Sequence, residues 1–220
     1  MRQKNSKKNI IDHTHRAYRN MRNAAGANKW NGAYYYSKEI VRNIIPRVQT
    51  DRAWVTIMVK GHAFDHCIFF VHNNIHINQY EWLKEFNDVV LVCGVPETVD
   101  KVKHIGKAIY LPLSIDVEDV QQYMMPKTKD VAFAGRPSKK NGMALWGVEC
   151  IEGLDRPKFL QAMAEHKRIY AVGRCAIEAK ALGCEILPYD PRYPDPEIWQ
   201  VIDNKDAAEI LQAELDRIDG

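Results

Sequence analysis

The chain has 220 residues, of which 46% are hydrophobic and 27% charged, with a formal net charge of +3. That balance describes a globular protein able to bury a substantial core, and it excludes disordered and collagen-like chains. No apolar run approaches the roughly 20 residues that span a bilayer, and five scattered cysteines without Cys-x-x-Cys spacing exclude a zinc knuckle or disulfide scaffold and point to a reducing cytoplasm.

The charge is uneven along the chain. Residues 1–31 hold eight Lys and Arg against Asp12, a net of +7, so the remainder carries −4. This start is read as a basic arm, suited to nucleic acid or an acidic partner, or else simply solvated. Within it Ile10 to Met21 has helical potential, with Tyr18 and Met21 on one side. Ser37 to Val48 then reads as a helix ending near Pro46, with Ile40, Val41, Ile44 and Ile45 as its apolar stripe. Trp54–Val59 and Cys67–His72 are strands continuous enough in apolar character for a buried parallel sheet.

Gln79 to Phe86 is expected to be helical, followed by the strand Val89–Cys93, a helix from Pro96 to about His104, and the strand Ala108–Leu111. Residues 111–129 read as the passage between two halves, with Asp116 as a helix cap or a candidate carboxylate. A second set of elements follows: a strand over 130–134, a strand within Ala144 to Ile151, a helix from Phe159 to His166, and a terminal amphipathic helix from Asp206 to Ile218. Strands alternating with helices indicate an α/β fold with mostly parallel sheets. The expected organisation is a basic arm (1–31), a first α/β lobe (32–126) and a second (127–220).

The segment from Arg168 to Pro188 is the most informative. Ile169, Ala171 and Val172 form one apolar run, and Cys184, Ile186 and Leu187 another. Between them Ala176 to Leu182 favour helix, and Gly183 stands where a helix ends in a left-handed residue. This is a parallel crossover whose ligand would lie at the carboxyl ends of the strands. Gly173 lets backbone approach a ligand, Arg174 offers a fork for phosphate, and Glu178, one turn on, offers a carboxylate to ribose hydroxyls. Arg174 and Glu178 also have the spacing of an ordinary helix-surface pair.

Ile177-Glu-Ala-Lys-Ala-Leu-Gly183 resembles the Glu-Ala-x-Ala-x-Gly signature in the donor-binding half of GT-B glycosyltransferases, and Val131-Ala-Phe-Ala-Gly-Arg136 resembles the first strand of that half. The resemblance implies two Rossmann-like lobes, a nucleotide-sugar donor on the second and an unknown acceptor on the first. It places Glu178 on the ribose and Arg136 and Lys140 on the diphosphate, with no metal or cofactor required. Many members carry another glutamate eight positions before Glu178; here that position is Tyr170. The chain is also shorter than a typical member, and Asn31-Gly-Ala-Tyr-Tyr-Tyr-Ser37 reads as a truncated glycine loop or equally as a turn with aromatic packing. Beside the transferase therefore stands a second expectation, a non-catalytic GT-B-like protein that grips a nucleotide or a macromolecule.

His72, followed by Asn73 and Asn74, leaves the end of an apolar strand and is the candidate general base on an acceptor hydroxyl. His62, Asp65, His66 and His76 nearby suggest metal ligation by residue type alone. Their spacing completes no metal-binding motif, and no metal site is expected.

Overall fold

The computed structural model describes residues 10–11, 32–56, 63–72, 76–135, 147–188 and 192–220. The chain divides into two compact units, residues 1–111 with 208–220, and residues 112–207. Among the described residues no helix is long and apolar enough to cross a membrane.

The first unit is built on five parallel strands, β1 (Ile10–Ile11), β2 (Ala53–Val55), β3 (Cys67–Val71), β4 (Val89–Cys93) and β5 (Lys107–Tyr110), lying side by side in chain order. Every residue of β3 and β4 is buried, as their unbroken apolar runs require of strands covered on both faces. Successive side chains alternate between those faces. Phe69 meets Tyr80 and Trp82 edge-on, while Phe70 stacks on Trp54 and meets Tyr36. Tyr80, Trp82 and Leu83 come from the helix expected here, which is a 3-10 helix over Ile77–Glu85. The helix α2 (Pro96–Val102) opens on a proline, whose missing N–H costs nothing in a first turn.

Tyr36 belongs to α1 (Gly32–Glu39), which runs on through a π-helical turn (Ile40–Ile44) into a 3-10 turn (Ile45–Arg47). Ile40, Ile44 and Ile45 are buried as the stripe predicts; Val41 is only partly so. The helix begins at Gly32, so the stretch read as a truncated glycine loop or a turn is helical from that residue on. A further correction concerns Ile10 and Ile11. They are not helical but pair in parallel with Trp54 and Val55, because a β-branched pair completes the open edge of β2. The rest of the basic arm, with Tyr18 and Met21, lies outside the described residues.

The second unit has four parallel strands, β6 (Lys129–Ala134), β7 (Glu149–Ile151), β8 (His166–Tyr170) and β9 (Glu185–Leu187), in the order β7-β6-β8-β9. The chain leaves β6 for β7 on one side and then crosses to β8 on the other. That reversal is the topological feature at which parallel α/β sheets place their ligands. Asp116 caps α3 (Val117–Gln121), accepting from the Asp119 amide at 3.0 Å, the capping role that its sequence position suggests. Asp155 caps α4 (Arg156–Ala164) in the same way. The helix α5 (Arg174–Ala181) closes at Gly183, whose φ of 78° is the left-handed conformation expected there. Lys127 donates to Ala164 O at the end of α4 and to Leu182 O at the end of α5, fastening two helix carboxyl ends with one ammonium. The last helix is α6 (Asn204–Asp219).

Candidate functional site

The strand-order reversal sets the carboxyl ends of β6 and β8 next to one another, through the pairing of Phe133 with Tyr170. From β8 the chain passes through Ala171 and Val172 into Gly173, which has φ 62° and ψ −135°. Only glycine adopts that conformation without strain. Space is not the reason, since a Cβ there would meet only Leu113 Cδ1 at 3.8 Å. This turn starts α5 with Arg174 at its first position, and the Ala176 and Ile177 amides bond back to Gly173 O.

Arg174 and Glu178 are both buried, with 7% and 2% of their surface exposed, so the alternative of an ordinary surface pair does not hold. Arg174 Nε donates to Glu178 Oε1 at 2.6 Å. A second guanidinium reaches the same oxygen: Arg156 Nη1, from the first residue of α4, also donates at 2.6 Å. Arg156 Nη2 lies 3.6 Å from Asp119 Oδ2. Burial alone would raise the Glu178 carboxyl, but Arg174 and Arg156 outweigh it and hold it below the ordinary glutamate value. The result is two guanidiniums arranged around one ionised carboxylate, whose charge holds both planar forks in place. Phe133, on β6, packs against Val148, Cys150, Tyr170, Val172 and Tyr193.

Thus the structure brings together Gly173, Arg174 and Glu178 among the residues expected to hold a donor. Arg136 and Lys140 lie outside the described residues. Arg156 was not anticipated: its contact with Glu178 spans 22 positions and leaves no trace in local spacing. The one available signal was Asp155 before Arg156-Pro157, a cap followed by a proline, which marks the start of α4 three residues ahead of the expected Phe159.

His72 belongs to the first unit and directly follows β3. Its Nε2 lies 2.6 Å from the Thr56 carbonyl, so that nitrogen carries the proton, and its ring meets Tyr36 edge-on. Desolvation pulls its pKa down to about 4, against the upward pull of the Thr56 bond. The imidazole is therefore neutral at physiological pH, the state a base requires, though of low basicity. Thr56 Oγ1 shares a 2.5 Å hydrogen bond with Ser37.

Asn73, Asn74 and His62 lie outside the described residues. His66 faces two carboxylates, Asp88 at 2.6 Å and Asp51 at 2.9 Å. Among the described residues no group of three His, Cys, Asp or Glu side chains is arranged to hold a metal ion. No protein-family model, no curated protein and no solved structure matches this chain.

Proposed function

We propose that the chain is a compact glycosyltransferase of GT-B type whose residues 112–207 bind a nucleotide-sugar donor. The observation that carries this reading is the cluster of buried Arg174 and Glu178 with half-buried Arg156, beside a glycine turn at the strand-order reversal of a parallel sheet. The guanidiniums suit the donor diphosphate, with Arg136 and Lys140 as the further cations that the sequence resemblance supplies. Arg156 and Arg174 both donate to Glu178 Oε1, and Oε2 is the oxygen proposed for a ribose hydroxyl. In the transfer, the bond between the anomeric carbon and the phosphate oxygen breaks with its electron pair on the diphosphate. Fixed cations stabilise that charge without requiring a metal. The acceptor hydroxyl forms the new bond and gives up its proton, for which His72 is the candidate base. A nucleic-acid acceptor would be held by the basic residues 1–31.

A second reading, a non-catalytic nucleotide-binding protein, is favoured by Tyr170 at the position where the family has a glutamate and by the low basicity of His72. Incubation with a panel of labelled nucleotide-sugars separates the two. The transferase releases or transfers the sugar. Binding without turnover favours the second reading, and neither binding nor turnover rejects both.

A further inference from the structure

At the amino ends of the first unit's strands lies a charge cluster that the proposed activity does not use. Asp51 and Arg52 immediately precede β2, His66 precedes β3, Asp88 precedes β4, and Lys107 opens β5. The Arg52 side chain is 1% exposed. It donates from Nε and Nη2 to the two oxygens of Asp219 in α6, at 3.2 and 2.5 Å, and from Nη1 to the Asp88 carbonyl at 2.9 Å. Asp88 also lies 3.0 Å from Arg52 Nη2 and 3.2 Å from Lys107 Nζ. Asp65, a further charged group here among the described residues, accepts from the Asn87 amide.

His66 completes the cluster. Its Nδ1 is 2.6 Å from Asp88 Oδ2 and its Nε2 2.9 Å from Asp51 Oδ1. Ionised carboxylates only accept, so two such contacts require both ring nitrogens to carry a proton. With the imidazolium, the carboxylates Asp51, Asp88 and Asp219 face the cations Arg52, Lys107 and His66, three against three. Both members of the shorter contact, His66 and Asp88, have left-handed backbones, with φ of 54° and 53°. Histidine and aspartate tolerate this conformation better than most residues do, at a cost that their mutual bond offsets.

We propose that His66 is a pH-sensitive clamp: as an imidazolium it ties the turn before β2 to the turn before β4, and loss of one proton releases Asp51. Asp51 is the partner that leaves because its side chain is 87% exposed, whereas Asp88 keeps Arg52 and Lys107. The bonds to Asp51 and then Asp88 hold the His66 pKa above its ordinary value of 6.5. A raised folded-state pKa means that the clamp is fully present below pH 6.5 and is lost as pH rises through the folded value. With the His66 side chain itself 43% exposed, water screens the contact. The clamp therefore governs local opening of the turn that carries Arg52 rather than the survival of the fold.

Histidine-detected NMR titration of the full chain tests this. The His66 ring should titrate with a midpoint above 6.5, and Asp51→Asn and Asp88→Asn should each lower it. The Arg52 and Asp88 backbone amides should shift with the same midpoint in the wild type, and should lose that step in His66→Gln. A midpoint at or below 6.5, or one unmoved by Asp51→Asn, overturns the clamp, as do amides that titrate identically without His66. Should His66→Gln fail to fold, Asp51→Asn at its exposed position decides the matter alone.

Discussion

Glu178 illustrates how burial changes the meaning of a residue pair. At the surface an Arg–Glu pair four residues apart contributes a few tenths of a kcal/mol; enclosed with a second guanidinium, the same carboxylate becomes an organising centre whose removal would leave two cations without their shared counter-ion. Gly173, Arg174 and Glu178 were legible because they sit within one turn–helix segment. Arg156 was not, because tertiary packing alone delivers it. His72 was legible as a residue at a strand's end, but not its environment, since its bonding partner is a main-chain carbonyl 16 positions away. That environment has a measurable consequence. Lowering the His72 pKa from 6.5 to about 4 means that the neutral ring's stabilisation is present above pH 6.5 and lost as pH falls towards 4. Thermal or urea unfolding across this window should show an acid-side loss, on the order of 3 kcal/mol at most if the whole shift is felt. His72→Gln should lack that component; an unchanged pH profile in the variant means that His72 is not the titrating group.

Element type is legible in the sequence where burial and period agree. Cys67–Val71 and Val89–Cys93 are unbroken apolar runs, and both are buried strands. Ile77–Glu85 is 3-10 helix and Ile40–Ile44 a π-helical turn, distinctions that depend on how the chain packs, not on which side chains are apolar. The fastening of α4 and α5 by Lys127 was equally hidden, since a lysine before a strand carries no sign that two helices end beside it. Gly173, by contrast, combined a sequence signal with a backbone demand. Gly173→Ala should destabilise the protein by about 1–3 kcal/mol in chemical denaturation, because the conformation itself excludes a Cβ. A loss near zero would mean that the β8–α5 turn readjusts without cost and that its geometry does not set the position of Arg174.

On the scale of the molecule, periodicity indicated two parallel α/β sheets, while strand order came only from the structure. No local pattern states that β8 pairs on the far side of β6 from β7, yet that order creates the candidate site. Paired guanidiniums at this site are proposed to recognise a diphosphate. Isothermal calorimetry with a panel of nucleosides and their diphosphates tests it most directly, on the wild type, Arg156→Ala and Arg174→Ala. At least one diphosphate should bind the wild type far more tightly than its bare nucleoside. Each arginine variant should weaken that diphosphate by about 1.5–3 kcal/mol, the range for hydrogen bonds to charged groups, and leave the nucleoside much less affected. Absence of diphosphate binding to the folded wild-type protein, or equal losses for nucleoside and diphosphate in both variants, would rule out diphosphate recognition by these arginines.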